Sequence, residues 1–224
     1  MTLARAAGVI LAKELRTEFR SRELLGTTAV FVLIVIVLFS FTFNPTSSES
    51  RRFGPGLLWL AFLFAGSLML QSSFLREQTN DTLAALRLAP IDPFSILAGK
   101  MAANFLFLLL VEVILLPVFA VPYNVALLPV LGPLLLVLAL GTIGLAATGT
   151  VFSAVAAQAR LRELLLPLLL LPVLAPVLIA STEATIGVLR DPSELSPVWL
   201  VFLACFDVVF LTASWMVGEY LLEE

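Results

Sequence analysis

The sequence predicts an all-α integral membrane protein with six transmembrane helices, an amphipathic helix before the first and a short helical segment between the second and third. Three observations predict this fold. Hydrophobic residues make up 60% and charged residues 13% of the 224 residues, whereas soluble domains are roughly 45 to 50% apolar and 25% charged. Uncharged apolar runs about as long as a bilayer is thick recur along the chain. Lys and Arg gather in alternate connections, as they do in multi-pass membrane proteins.

Cysteine and histidine usage removes several classes of function. Cys205 is the only cysteine and histidine is absent. The chain therefore cannot form an intrachain disulfide or a thiolate metal cluster, and it lacks the commonest transition-metal ligand and general base. We expect no catalytic residue, no metal site and no cofactor bound by this chain, and no nucleic-acid partner.

The segment before the first span predicts an amphipathic helix at the cytoplasmic interface. The alternative is a solvated basic arm. Apolar residues recur every four positions and basic residues gather on another face: Leu11, Leu15 and Phe19 against Lys13, Arg16 and Arg20.

The six predicted spans leave no room for a soluble domain, so residues 1–224 predict a single transmembrane domain. The fifth span holds three prolines, each of which removes an intrahelical donor. The polar stretch 181–197 after it predicts a solvated loop on the periplasmic side, and the alternatives are a re-entrant turn or a surface for a partner. The approximate ranges of the spans are 24–43, 55–74, 101–121, 125–152, 164–180 and 198–218.

Two acidic residues, Glu112 and Asp207, lie near the middle of the third and sixth spans. An ionised acid there costs about 2.5 to 3.5 kcal/mol, so both should face the interior of the helix bundle. Two interpretations stay open: a role in a polar cavity or in subunit coupling, or a protonated or hydrogen-bonded acid that fixes helix packing.

The fourth span carries small residues at every fourth position. Small side chains let helix backbones approach closely. They predict packing within this chain or, alternatively, a contact with another protein. The residues are Thr142, Ala146, Thr150 and Ala154.

Orientation follows from the basic residues. Ten Lys and Arg residues lie before the first span and after the second and fourth, against three on the other side. This count places both termini and the connection 76–100 in the cytoplasm. The first span is followed by Asn44-Pro45-Thr46 and not by a small-residue cleavage site, so we expect it to be retained.

The connection 76–100 predicts a compact helical platform. Asn80 or Asp81 can cap a short helix over 82–88, in which Leu83 and Leu86 share a face, and Pro90 ends it. Asp92 then caps a second helix with Pro93 at its first position, and this helix can continue through Lys100 into the third span. The alternative is a simple connecting loop.

Several motifs in this region resemble the membrane subunit of an ABC-2 type (type V) exporter. They lie between Phe74 and Leu110 and comprise Arg76-Glu77, Thr82-Leu83, Leu86, Ala89-Pro90 and Gly99-Lys100. Three further segments resemble the haem exporter protein B (CcmB) family of cytochrome c maturation: Lys13-Glu14-Leu15-Arg16, Gly56-Leu57-Leu58-Trp59 through Gly66, and Glu163 to Pro167 through Ala180. One departure is Asp81, where a glycine is expected before the Thr-Leu pair.

The resemblance implies a permease subunit in the bacterial cytoplasmic (inner) membrane that pairs with itself and with two copies of a separate ATPase, CcmA. It also implies CcmC and CcmD as membrane partners, with ATP hydrolysis serving haem delivery or release of the haem-loaded chaperone CcmE. ATP and Mg would lie on the ATPase, and haem would be handled by the complex. The connection would be the coupling helix that docks on the ATPase, through Thr82, Leu83, Leu86, Arg87, Leu88 and Pro90.

Gly99-Lys100 invites comparison with a phosphate loop, but the pattern fails. Phe94 stands where the first glycine is needed, and Met101 follows the lysine in place of Ser or Thr. We therefore expect a partner to bind ATP.

Three other functions are weighed against this one. A generic ABC-2 exporter of lipids or drugs would share the coupling segment. A proton-coupled carrier would use Glu112 and Asp207 and would need no ATPase. An intramembrane enzyme is disfavoured because there is no histidine and no recognisable pair of nucleophile and base.

Overall fold

The computed structural model describes residues 2–42, 48–79, 92–123, 125–157, 162–190 and 194–223. Within these ranges the chain forms seven α-helices and no β-strand. Six of them, α2 to α7, are long and apolar enough to cross a membrane, which confirms the predicted all-α membrane fold. The helices are α1 (Leu3–Ser21), α2 (Glu23–Thr42), α3 (Ser48–Thr79), α4 (Pro93–Tyr123), α5 (Leu127–Ala157), α6 (Arg162–Leu189) and α7 (Pro197–Glu223).

A one-residue elbow joins α1 to α2. Arg22 has left-handed backbone (φ 55°), and its N–H donates to the carbonyl of Glu18 at 2.6 Å. The side chain of Glu18 is fully buried and accepts the N–H of Leu25 at 2.8 Å. It thereby satisfies one of the backbone donors that the first turn of a helix leaves without a partner. Glu18 therefore fixes how α1 meets the first span.

The start of α4 agrees with the sequence-based prediction. Pro93 is its first residue, and Asp92 Oδ1 accepts the N–H of Phe94 at 2.8 Å. The helix then continues through Lys100 into the third span. The predicted short helix over 82–88 lies outside the described residues.

The loop prediction for 181–197 is wrong over its first half, because α6 continues to Leu189. Ser181 and Thr185 are buried in the bundle, and the hydroxyl of Thr185 donates to the carbonyl of Ser181 at 2.7 Å. Two polar residues of this stretch therefore belong to a helical turn that packs inside the bundle, whereas Glu183 on the same helix is exposed. The three prolines lie inside α6 and do not end it.

Helix α5 lies at the centre of the bundle and contacts α3, α4, α6 and α7. Its four small residues at four-residue spacing are all buried against the rest of the chain. A Cβ at Gly66 of α3 would lie 2.9 Å from a methyl carbon of Leu145, which shows how closely the helices approach. The small-residue face thus packs within this chain, as the first of the two interpretations predicted.

Candidate functional site

A buried lysine joins three helices near the beginning of α4. The side chain of Lys100 is fully buried, and its Nζ lies 2.9 Å from Glu14 Oε1 of α1. The same ammonium group donates to the carbonyl oxygen of Ser73 in α3 at 2.7 Å. Removing an ammonium group from water is costly unless a carboxylate and further acceptors surround it. Lys100 therefore holds α1 and the end of α3 against α4.

Glu14 provides the negative charge of this contact. Its side chain is 14% exposed and also lies 3.2 Å from the Nζ of Lys13. Burial by itself would raise the pKa of Glu14, but the positive charges and hydrogen bonds of Lys100 and Lys13 outweigh burial and hold the pKa below its ordinary value. The carboxyl group therefore stays ionised at neutral pH, and the contact is an ion pair.

Gly99 permits the close approach that this ion pair requires. A Cβ at residue 99 would lie 2.6 Å from the Cβ of Ile10 and 2.7 Å from the carbonyl oxygen of Ala7. Any larger residue would therefore displace α1. Gly99 and Lys100 act together, the glycine by making room and the lysine by charge.

A polar layer continues from Lys100 into the bundle. Asn104, about one turn further along α4, donates from Nδ2 to Thr150 Oγ1 of α5 at 3.0 Å and to Ser73 Oγ at 3.4 Å. The hydroxyl of Ser153 in α5 donates to the carbonyl of Leu70 in α3 at 2.6 Å. These contacts tie α3, α4 and α5 together about two to three turns before α3 ends and about three turns after α4 begins.

Threonine relays stabilise the bundle at two levels, the first of which lies in the polar layer. In each relay, a threonine hydroxyl donates to the carbonyl four residues earlier and accepts a hydrogen bond from another helix. The donors, an amide and an indole N–H, cannot act as acceptors in these contacts. The relays are Asn104 to Thr150 to Ala146, and Trp59 to Thr185 to Ser181.

Glu112 contacts a third threonine of this kind. Thr142 Oγ1 lies 2.7 Å from Glu112 Oε2 and 2.6 Å from the carbonyl oxygen of Leu138. A hydroxyl group carries one proton, so both contacts are hydrogen bonds at the same time only when the carboxyl group of Glu112 supplies the second proton. This geometry favours the interpretation that Glu112 fixes helix packing.

Asp207 lies in a different environment on α7. It is 5% exposed, and neither carboxylate oxygen has a hydrogen-bond partner among the residues that the structure describes. A Cβ at Gly144 of α5 would lie 2.9 Å from Oδ1, so the carboxyl group faces the backbone of the central helix. The two acids thus contact α5 at separate positions.

The model of the CcmB protein family matches residues 5–217. This chain belongs to the CcmB family. Among relatives, Heme exporter protein B of Pseudomonas aeruginosa is 33% identical over 198 residues, which cover 87% of each chain. Heme exporter protein B of Paracoccus denitrificans is 33% identical over 210 residues, 92% of this chain and 93% of the relative. That of Rhodobacter capsulatus is 33% identical over 160 residues, 71% and 73% of the two chains.

The structure brings together one segment that suggested the CcmB family and one that suggested an ABC-2 type exporter. Lys13-Glu14-Leu15-Arg16 provides the carboxylate of the ion pair. Gly99-Lys100 provides the cation, and its glycine lets α1 approach α4 closely. A third segment provides Trp59, which contacts α6. Motifs far apart in the sequence therefore meet at helix contacts of this CcmB chain.

The residues predicted for the interfacial helix divide between two surfaces. Leu11 and Leu15 are partly buried against the bundle, whereas Phe19 is exposed, as are Lys13, Arg16 and Arg20. The buried face also contains Ile10, Glu14 and Glu18. The four-residue spacing of Ile10, Glu14 and Glu18 indicates that they share one face of α1.

Two other contributors were also missed as site residues. The sequence-based prediction of the site included neither Lys100 nor Asn104. Their spacing of four residues at the start of an apolar helix could have indicated a shared buried polar face. The predicted docking residues, Thr82, Leu83, Leu86, Arg87, Leu88 and Pro90, lie outside the described residues and stay a prediction.

Proposed function

We propose that this chain is the membrane subunit of a haem export system in the bacterial inner membrane and that a separate ATPase drives it. Support for the haem export system comes from relatives that carry the name Heme exporter protein B and match over most of their length. Six helices able to cross a membrane suit a permease subunit. Gly99 and Lys100, the one sequence feature that suggests phosphate binding, are engaged with α1 instead.

The observation that carries the ATPase proposal is the polar layer around Lys100. It binds the last turns of α3 and the first turns of α4 to each other and to α1 and α5. The connection over 80–91 therefore joins two helices that are tied to each other and to α1 and α5, so that a push on it would move several helices at once. A flexible attachment would dissipate such a push.

The remaining assignments follow the family resemblance. The chain acts as a homodimer with a CcmA-like ATPase dimer, which binds ATP and Mg. CcmC-like and CcmD-like membrane subunits complete the complex, and the haem chaperone CcmE is engaged indirectly. Both termini lie in the cytoplasm, on the same side as the coupling segment, and the complex handles haem without this chain acting as an enzyme.

Deleting the gene and measuring c-type cytochromes in the membranes tests this function. The proposal predicts that c-type cytochromes are lost, that b-type cytochromes are kept and that expression of the chain in trans restores the missing proteins. Normal c-type cytochromes in the deletion strain would contradict the proposal. A simultaneous loss of lipid or drug efflux would then favour the generic ABC-2 exporter.

A further inference from the structure

We propose that Glu14 and Lys100 are positioning residues that make α1 move together with the coupling segment. The proposal rests on the proposed function, in which an ATPase docks on the connection between α3 and α4. It assigns α1 a role in transmitting ATPase movement to the first span, in addition to lying at the membrane interface.

The packing of α1 provides the first argument. This helix makes most of its contacts with α4 and few with α2. The contact lies at Gly99 and Lys100, about two turns after α4 begins at Pro93. Helix α1 is thus attached to the part of α4 that directly follows the coupling segment.

The chemistry of the contact provides the second argument. Lys100 is fully buried and Glu14 is largely buried. If α1 separated from α4, the ammonium group would lose the carboxylate that compensates its burial, which costs more than breaking a solvated ion pair. The lowest-energy response to a displacement of α4 is therefore for α1 to follow it.

The far end of α1 provides the third argument. Glu18 lies one turn after Glu14 and accepts the N–H of Leu25 in α2. Arg22 is the only residue between the two helices. A displacement of α1 therefore acts directly on the first turn of α2, the first transmembrane span. Helices α4 and α1 thereby connect the coupling segment to that span.

The proposal predicts that loosening this contact uncouples ATP hydrolysis from haem handling without dissociating the complex. We would substitute Glu14→Gln, which removes the charge, and independently Gly99→Leu, which displaces α1 and leaves the charges in place. The matched control is Lys13→Gln, because Lys13 also contacts Glu14 but its side chain is 42% exposed. The exchanged pair Glu14→Lys with Lys100→Glu tests for rescue.

Two measurements would be made on the full-length chain co-expressed with its ATPase. Hydrogen exchange in lipid nanodiscs reports α1 separately, and we expect its amides to exchange about tenfold faster in both variants while those of α5 stay unchanged. Formation of c-type cytochromes should fall about fivefold or more at an unchanged amount of bound ATPase. Lys13→Gln should behave as the wild type, and the exchanged pair should recover at least about half of the lost output.

Wild-type rates of α1 exchange and wild-type cytochrome formation in both Glu14→Gln and Gly99→Leu would overturn the inference and leave the proposed function standing. Faster α1 exchange with unchanged cytochrome formation would also overturn it. In that case the ion pair would hold α1 in place, but α1 would not transmit ATPase movement. If the wild-type chain retains no ATPase, the proposed function fails, and the inference fails with it.

Discussion

Trp59 in α3 donates a hydrogen bond from its indole Nε1 to Thr185 Oγ1 in α6 at 3.0 Å, between residues that are 126 positions apart. Both residues are buried. The contact explains why α6 continues beyond the predicted end of the fifth span. The indole N–H of Trp59 lies inside the bundle and donates to Thr185 when this turn is helical. The turn is therefore more stable as a helix than as a solvated loop.

Trp59→Phe should lower the free energy of unfolding by about 1 to 3 kcal/mol, because it removes the donor and leaves unfilled space in a closely packed site. The midpoint of thermal unfolding in detergent measures the effect. Trp215→Phe on α7 is the matched control, since Trp215 is 60% exposed. Equal shifts for the two variants would contradict the assigned role of the hydrogen bond.

Glu112→Gln should preserve the stability of the fold and c-type cytochrome formation. The glutamine amide can donate to Thr142 as Asn104 and Trp59 donate in the other relays. Glu112→Ala should destabilise by about 1 to 3 kcal/mol, because it removes the hydrogen-bond partner of Thr142 and leaves a cavity. Thermal unfolding compares the two variants, with the wild type as reference.

The same substitution distinguishes the permease from the proton-coupled carrier. A carrier that moves protons through Glu112 would lose transport in Glu112→Gln even if the fold were intact. That alternative also requires transport into liposomes by the chain alone under a pH gradient. Retained cytochrome formation in Glu112→Gln would exclude Glu112 as a proton carrier.

Acid should release α1 before it unfolds the bundle. The pKa of Glu14 is below its ordinary value of 4.5 in the folded chain and should return to about that value when α1 is detached and exposed. A lowered pKa contributes stability that is complete above about pH 4.5 and is lost as the pH falls through the folded-state pKa. Hydrogen exchange of α1 between pH 6 and pH 3 measures this, corrected for the intrinsic pH dependence of exchange.

In Glu14→Gln, by contrast, α1 should show no additional release over this pH range. Lys13→Gln should keep the acid-dependent release, because the buried partner Lys100 is intact. An identical pH profile for Glu14→Gln and the wild type would contradict the assignment of the transition to Glu14.

The parts of the fold that depend on local sequence could be predicted. Hydrophobic length indicates six spans, and Asp92 followed by Pro93 indicates the start of α4, since the side chain of Asp92 caps the helix that begins at the next residue. Contacts between distant residues could not be predicted in the same way. Glu14 and Lys100 are 86 positions apart, and nothing local to either residue specifies its partner.

The same limit accounts for the error over 181–189. Ser181 and Thr185 are polar residues within the stretch predicted as a loop, and the hydrogen bond from Trp59 on another helix accounts for the place of Thr185 in the interior. The interfacial helix was predicted from its leucine spacing. Its packed face also includes Glu14, because Lys100 on α4 forms an ion pair with this carboxylate. In both cases a tertiary partner overrides the local signal.

The most direct test of the central claim is the amount of ATPase that co-purifies with this chain. We predict that a wild-type chain retains a CcmA-like ATPase and that Leu83→Asp with Leu86→Asp reduces the retained ATPase about tenfold or more, since a buried apolar contact would receive two charges. Leu106→Asn, on a 40% exposed position of α4, serves as the control and should retain it. Full retention of the ATPase by the doubly substituted chain would contradict docking at this segment, and no retention by the wild type would contradict an ATPase-driven permease.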